Sequence, residues 1–369
     1  MGNLFIVYTP FQLFVAQQIV RQENLQNNIL IEGSYVKDYN FYKIFDMMEI
    51  GGYWKKKILF HDIAAWDGLK ISSFKDAKKA YRNYKKIKGI IKENDVDKIY
   101  LGEHQNQAMR FTDIVFSKQG YDICFFEEGT AHYIEGKFVP DRSYKTAIKI
   151  FLRDLFYYIP LYHVRFAKWR YNVNMPYDNL PIHKRYNILP YHNKSYDVHL
   201  NISLLVSEKL KRYMEQEIED DKERRVMLMT DPMAELITHR NMHLYYDVIK
   251  EYFHAIPHST TVYIKYHPRE PLYSREKTES IIKGLGLSYK ILSKDVNIPV
   301  EYFLQKYKFD MVYIFNASTY FYNGYVFPEC KFIKMLPTLY KKCIDNNVND
   351  IDNLKSLVNA MDIKDSSIP

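Results

Sequence analysis

Two adjacent carboxylates at the end of an apolar run are the first candidates for catalytic residues. Glu127 and Glu128 follow YDICFF and precede Gly129 and Thr130. Neighbouring carboxylates raise one another's pKa, which suits one of them to act as a general base. The glycine permits a tight turn after a strand. The spacing alone leaves an alternative, in which the segment is an acidic loop and one carboxylate caps a helix.

A histidine follows another apolar run, TTVYIKY, within the motif KYHPRE. His267 stands at the end of the expected strand, Pro268 forces the chain to turn, and Arg269 comes next. A His and an Arg two residues apart suit a phosphate, because one can give a proton and the other a charge-assisted hydrogen bond. The alternative is a loop histidine beside a surface arginine.

Two further strand ends carry polar residues. Ser318 and Thr319 follow DMVYIF in the motif FNAST, where hydroxyls and backbone N–H groups can cradle an anion. An ordinary helix N-cap is the alternative. Asp231 follows RRVMLMT and precedes Pro232. It would face an interdomain cleft if the chain folds as two α/β domains, although an Asp before Pro also suits a plain turn.

Several motifs for phosphates, dinucleotides and metals are missing from the sequence. There is no GxxxxGK[ST], no GxGxxG after the first apolar run and no HExxH. Asp95 and Asp97 form a DxD, a metal–diphosphate signature in some sugar transferases, but this DxD precedes its strand and points to the wrong sheet edge. Cys124, Cys330 and Cys343 form no CxxC pair. We therefore predict neither a metal site nor a cofactor.

The elements that must position these residues form two series of alternating strands and helices. The apolar runs of the first series are NLFIVYT, NILIEG, KKILF, DKIYLG and YDICFF, and those of the second are RRVMLMT, TTVYIKY, LSYKIL, DMVYIF and CKFIKM. Between them, a stretch at about 141–201 is rich in Pro and Tyr and is predicted to be a helix followed by irregular linker segments. Alternation of this kind predicts parallel sheets. We expect an α/β protein with two Rossmann-like domains, 1–200 and 201–369, whose sheets face an interdomain cleft.

The composition is that of a globular protein with a mild positive charge. Its net charge of +8 favours acidic partners, but the charge is diffuse and no nucleic-acid-binding pattern stands out, so we expect no nucleic acid partner. No leader is visible and no apolar run reaches the ~18 residues of a membrane helix, which predicts a cytoplasmic protein. The basic and aromatic segment 144–171 is a candidate for peripheral contact with the inner face of the membrane. Packing within a domain or a homodimer is the alternative for this segment.

Taken in order, the motifs resemble one family. The opening NLFIVYTPFQL, followed by FEEGT, MTDP, YHPRE, IPVEYF and FNAST, is similar to the bacterial sialyltransferases of glycosyltransferase family 52, which act on lipooligosaccharide and capsule glycans. The bacterial polysialyltransferases share a similar acidic-Gly-Thr motif, His-Pro motif and Ser/Thr motif. The resemblance spans Leu4 to about Met335. It implies a GT-B fold, no metal, CMP-N-acetylneuraminic acid as the donor, and inversion at the anomeric carbon.

The resemblance also implies roles for individual residues. Asp231 matches the catalytic base, and His267 matches the general acid that assists the departure of CMP. In the polysialyltransferases the base lies instead in the acidic-Gly-Thr motif, here Glu127 or Glu128, so the base stays open; the opening YTPFQL favours Asp231. The residues implied to bind the donor are His267, Pro268, Arg269, Glu301, Ser318 and Thr319, and those implied to shape turns or the cleft are Thr9, Gln12, Gly129 and Thr130.

The sequence therefore predicts an inverting, metal-independent sialyltransferase. It would move N-acetylneuraminic acid from CMP-N-acetylneuraminic acid to a galactoside-type acceptor of lipooligosaccharide or capsule. Domain 1–200 would lie on the acceptor side and domain 201–369 would bind CMP. The alternatives are transfer of another CMP-linked 2-keto sugar acid such as Kdo or legionaminic acid, a polysialyltransferase, and a non-catalytic membrane-surface protein of capsule assembly.

Overall fold

The chain divides into two compact units, Met1–Ser207 and Glu208–Pro369. The computed structural model describes residues 2–33, 41–60, 74–103, 120–127, 182–189, 195–218, 224–323, 326–327, 329–349 and 351–367.

The first unit contains a single sheet of parallel strands. The strands are β1 (Gly2–Val7), β2 (Asn28–Gly33), β3 (Lys56–Phe60), β4 (Val96–Glu103), β5 (Asp122–Glu127), β6 (Lys184–Asn187) and β7 (Asp197–His199), and the described helices are α1 (Pro10–Gln22), α2 (Phe41–Met48) and α3 (Phe74–Glu93). The strand order is β3-β2-β1-β4-β5-β6-β7, and every pairing is parallel. β1 and β2 are buried along their whole length, as expected of parallel strands covered on both faces.

The strand order of this sheet reverses between β1 and β4, and the chain is tightly packed at that point. Thr9 caps α1 by accepting the N–H of Gln12 at 3.1 Å, and Pro10 begins the helix where its missing N–H leaves no bond unmade. The buried Oε1 of Gln12 accepts the N–H of Tyr8 at 2.6 Å. Gly102 of β4 leaves the space that Gln12 fills, because a Cβ on Gly102 would lie 2.7 Å from Gln12 Cδ.

The second unit holds a smaller parallel sheet. Its strands are β8 (Arg225–Met229), β9 (Thr261–Lys265), β10 (Ser288–Ile291), β11 (Met311–Ile314) and β12 (Phe332–Lys334), and its described helices are α4 (Glu208–Glu217), α5 (Met242–His254), α6 (Leu272–Gly284), α7 (Val300–Lys306), α8 (Leu336–Asp345) and α9 (Asp352–Ser367). The strand order is β10-β9-β8-β11-β12. A short 3₁₀ turn, Ser318–Tyr322, follows β11. The predicted α/β class with two Rossmann-like parallel sheets is confirmed.

The stretch predicted as a linker differs in part from the expectation. β6 and β7 lie within it and extend the first sheet. The hydrophobic pattern does not predict these two strands, because they carry polar and charged residues. The Arg185 guanidinium lies 3.7 Å from the Asp197 carboxylate and 5.0 Å from the centroid of the Tyr196 ring. Residues 128–181 lie outside the described part of the chain.

No helix of the described residues is both long and apolar enough to cross a membrane. The segment 144–171, our candidate for membrane contact, lies outside the described residues.

Replacing Gly102 by Ala is expected to destabilise the first unit by about 1–3 kcal/mol, because the new methyl group must displace the buried side chain of Gln12. Gly89→Ala in α3 is the control: a Cβ there meets nothing nearer than 3.9 Å, and Ala is a better helix former than Gly by about 1 kcal/mol. Urea unfolding followed by circular dichroism measures both variants. Equal urea midpoints for the two variants would mean that the Gln12 side chain accommodates the new methyl group without a loss of stability.

Candidate active site

Three neighbouring strands of the second sheet end at one edge, and each is followed by residues that the sequence singled out. β8 lies between β9 and β11, and the strand order reverses between β8 and β11. Ligands of open α/β sheets bind outside the carboxyl ends of the strands at such a reversal. The N–H of Thr230 donates to Lys265 O at 3.1 Å, which joins the ends of β8 and β9.

Asp231 is buried at this edge, with 7% of its surface exposed. Its Oδ2 accepts the backbone N–H of Asn316 at 2.8 Å, which joins the end of β8 to the segment after β11. Burial raises the pKa of Asp231 to about 6, while the Asn316 bond and the positive charge of Arg269 act in the opposite direction. The carboxylate is therefore ionised near neutral pH and still basic enough to accept a proton.

His267 has one ring nitrogen fixed by its own loop. The backbone N–H of Arg269 donates to His267 Nδ1 at 3.1 Å, so a neutral ring must carry its hydrogen on Nε2. Burial, together with the smaller effects of the positive charges of Arg269, Lys265 and Arg275, lowers the pKa of His267 to about 4. Near neutral pH the ring is therefore an uncharged hydrogen-bond donor through Nε2.

Pro268 and Arg269, also implied to bind the donor, are exposed. The Arg269 guanidinium lies 2.7 Å from the carboxylate of Glu235, and both side chains are open to solvent. Exposed ion pairs of this kind contribute only about 0–1 kcal/mol, so Arg269 can exchange Glu235 for another anion at little cost.

Glu301 and Thr319, both buried, are in direct contact. The Thr319 hydroxyl donates to Glu301 Oε1 at 2.8 Å, so in this arrangement its hydrogen is already used. Burial raises the pKa of Glu301. Nearby, the Lys265 ammonium group donates to Asn297 Oδ1, and burial lowers the pKa of Lys265 to about 7. Ser318 begins the 3₁₀ turn after β11.

The candidates on the first sheet have partners of their own. Glu127 ends β5 with none of its surface exposed, and its Oε2 accepts the N–H of Ile188 at 2.7 Å. Glu128, Gly129 and Thr130 lie outside the described residues. Thr9 and Gln12 serve the cap and packing of α1 described above.

Glu270 is a residue of this site to which the sequence assigned no role. It is only 4% exposed and accepts hydrogen bonds from the hydroxyls of Thr230 and Ser274. Burial raises the pKa of Glu270 to about 7, while these bonds lower it. The one signal in the sequence is its position three residues after His267, where a surface glutamate is equally plausible.

Among the described residues, no group of three or more His, Cys, Asp or Glu side chains is placed to hold a metal ion. The DxD of Asp95 and Asp97 lies at the amino end of β4, which is the sheet edge opposite to the one where ligands bind.

The chain is similar to one known protein family and to several solved structures. A family model described as Alpha-2,8-polysialyltransferase matches residues 3–335. No curated protein matches the chain. Three solved structures are similar: a glycosyltransferase from Rickettsia africae (10% identity, 97% of this chain and 93% of that chain, TM-score 0.44), UDP-GlcNAc 2-epimerase from Methanocaldococcus jannaschii (10%, 95% and 93%, TM-score 0.46) and MurG from Acinetobacter baumannii (10%, 98% and 95%, TM-score 0.39).

The His267 ring is expected to remain neutral, with its hydrogen on Nε2, between about pH 5 and 8, because its pKa lies near 4 rather than at the usual ~6.5. Nitrogen-15 NMR of the imidazole groups measures this, and the signal missing from His267→Ala supplies the assignment. A His267 signal that titrates near pH 6.5 would contradict the lowered pKa of this half-buried ring.

Proposed function

Because the chain belongs to the alpha-2,8-polysialyltransferase family, whose model matches residues 3–335, we propose that it is an inverting, metal-independent sialyltransferase with CMP-N-acetylneuraminic acid as its donor. Membership confirms the resemblance to bacterial sialyltransferases related to polysialyltransferases. It makes the chain a sialyltransferase-type glycosyltransferase that takes a nucleotide-sugar donor and a glycan acceptor. The observation that carries the finer proposal is that a basic Asp231 and a neutral His267 follow the adjacent strands β8 and β9.

His267 is proposed to act on the departing phosphate. Negative charge builds up on that phosphate as the glycosidic bond breaks, and a donor aimed at it stabilises the transition state. The Nε2–H of the neutral ring can make this bond, and a phosphate nearby would raise the pKa of the ring towards that of a general acid. Arg269 can add a charge-assisted bond by leaving its exposed partner Glu235.

Asp231 is proposed as the general base. Inversion follows when the acceptor hydroxyl attacks from the face opposite CMP while a carboxylate takes its proton. Asp231 suits this because it is ionised near neutral pH with a pKa raised to about 6. Glu127 suits it less, because none of its surface is exposed, whereas an acceptor hydroxyl must reach the base. Glu128 remains the alternative base.

The acceptor has two candidate classes. The resemblance to glycosyltransferase family 52 favours a galactoside of lipooligosaccharide or capsule, whereas the description of the matching family favours a glycan that already ends in sialic acid. Galactose-terminated and sialic-acid-terminated oligosaccharides, offered separately with the same donor, distinguish the two. CMP-Kdo and CMP-legionaminic acid, offered as donors, test the remaining alternatives within the class.

Asp231→Asn is expected to keep its affinity for CMP and to lose about 10²–10⁴-fold in kcat, because a general base acts in the attack and not in donor binding. The control is Asp310→Asn at the amino end of β11, where the carboxylate accepts the N–H of Arg225 at 2.9 Å and an amide oxygen can replace it. CMP release from CMP-N-acetylneuraminic acid in the presence of acceptor measures turnover, and calorimetry measures CMP binding. Unchanged turnover of Asp231→Asn would transfer the role of base to Glu127 or Glu128.

The wild type is expected to keep its turnover in the presence of EDTA, measured by the same CMP-release assay. Loss of wild-type turnover in EDTA would contradict metal independence.

The pH profile gives an independent check of Asp231. The raised pKa of about 6 means that the required ionised form disappears as the pH falls through this value. kcat/KM should therefore fall about tenfold for each pH unit below 6, whereas the residual activity of Asp231→Asn should lack this limb. A profile that stays flat down to pH 4.5 would exclude Asp231 as the base.

A further inference from the structure

The loop that carries His267 is closed by its own backbone. The N–H of Glu270 donates to His267 O at 3.0 Å, and the N–H of Arg269 donates to His267 Nδ1 at 3.1 Å. The direction of the imidazole ring therefore depends on the backbone of residues 267–270.

The Glu270 carboxylate ties this loop to two neighbouring elements. One of its oxygens accepts from the Thr230 hydroxyl after β8, and the other accepts from the Ser274 hydroxyl in α6 at 2.8 Å. The Thr230 oxygen in turn lies 3.2 Å from the backbone nitrogen of His267 and accepts its N–H. A continuous chain of bonds thus runs from Glu270 through Thr230 to His267.

Arg275 binds the backbone carbonyl groups of the same loop. Its guanidinium donates to Glu270 O at 3.0 Å, Pro268 O at 3.3 Å and His267 O at 3.4 Å. The guanidinium also lies 5.3 Å from the centroid of the Tyr266 ring. These carbonyl oxygens, which would repel a phosphate, are thereby occupied by a cation.

An ionisable side chain at this position is a poor choice for stability alone. Glu270 is almost fully buried, and a buried carboxylate is unfavourable unless its oxygens are well bonded. An apolar side chain could fill the same space without that penalty, but it could not accept the two hydroxyl hydrogens. What the carboxylate adds is the fixed geometry of Thr230 and, through it, of His267.

We propose that Glu270 is a positioning residue for sialyl transfer, which holds Thr230 and thereby sets the direction of the His267 Nε2–H. This inference rests on the proposed role of His267 in assisting the departure of the phosphate. Glu270 itself touches neither the donor nor the reacting atoms in this assignment.

A double-mutant cycle between Glu270 and His267 tests the proposal with the full-length chain. Glu270→Ala should lower kcat by about 100-fold with the donor KM nearly unchanged, and Glu270→Gln should recover most of the loss because its amide oxygen can still accept from Thr230. In the His267→Ala background, Glu270→Ala should have no further effect, because the residue being positioned is gone. Nitrogen-15 NMR of Glu270→Ala should show that His267 no longer holds its hydrogen on Nε2 alone.

Glu279→Ala is the matched control. Its carboxylate lies on α6, the helix that carries the Glu270 partner Ser274, and it also accepts from two hydroxyls, those of Tyr266 and Tyr289, but it makes no bond to Thr230. Its turnover should stay within a few-fold of the wild type. If Glu270→Ala does not fold, Thr230→Val and Thr230→Ser form the equivalent pair, in which only Ser keeps the hydroxyl and should keep the activity.

The outcomes separate this inference from the proposed function. Losses that multiply when Glu270→Ala and His267→Ala are combined would overturn the positioning role while leaving His267 in the mechanism. Full turnover of Thr230→Val would overturn it as well. Near-normal turnover of His267→Ala alone would instead overturn the proposed function of His267, and the inference that rests on it.

Discussion

A buried carboxylate needs a hydrogen-bond donor, and Asp231 finds one in the backbone N–H of Asn316, 2.8 Å from its Oδ2. This bond crosses the point where the strand order of the second sheet reverses, and it fixes the path of the chain after β11. The 3₁₀ turn that follows begins two residues later and brings Thr319 to Glu301. On the other side of β8, Thr230 is bound to the end of β9. The arrangement of the whole carboxyl edge therefore depends on how the two residues after β8 are bonded.

Buried ionisable groups collect at this edge. Burial shifts the pKa of Asp231 and Glu270 upwards and that of Lys265 and His267 downwards. Each shift favours the uncharged form, which is the general effect of removing water. A phosphate-bearing donor bound beside His267 and Lys265 would favour their cationic forms again, so donor binding at this edge would be coupled to proton uptake. A site with such coupling becomes more positively charged when the anion binds.

The hydrophobic pattern alone is enough to predict most strands of the described sheets, because parallel strands that are buried on both faces have continuous apolar sequences. NILIEG and KKILF coincide with β2 and β3. β6 and β7 escape this reasoning, because their sequences KRYN and DVH are polar, and their pairing in the sheet is explained only once Arg185 is seen beside Asp197. Charge pairing between strands is a property of the sheet and not of either segment.

The strand-end rule identified Asp231 and His267 as candidates but could not reveal what holds them. Glu270 meets Thr230, a residue forty positions away in the sequence, and no local spacing predicts that contact. The same limit applies to Thr319, whose hydroxyl was expected to face a phosphate and instead donates to Glu301. Residue types at strand ends indicate where chemistry can occur, whereas hydrogen-bond partners are decided by which strands become neighbours.

The points at which the strand order reverses differ between the two sheets. In the first sheet, Gln12 fills the space beside Gly102 and bonds to the backbone of Tyr8, so this point is closed by packing. In the second sheet the corresponding point holds the basic carboxylate of Asp231, and His267 follows the next strand. Packed contacts stabilise a fold but offer no proton or charge to a substrate. This contrast supports the prediction that the second unit binds the nucleotide donor.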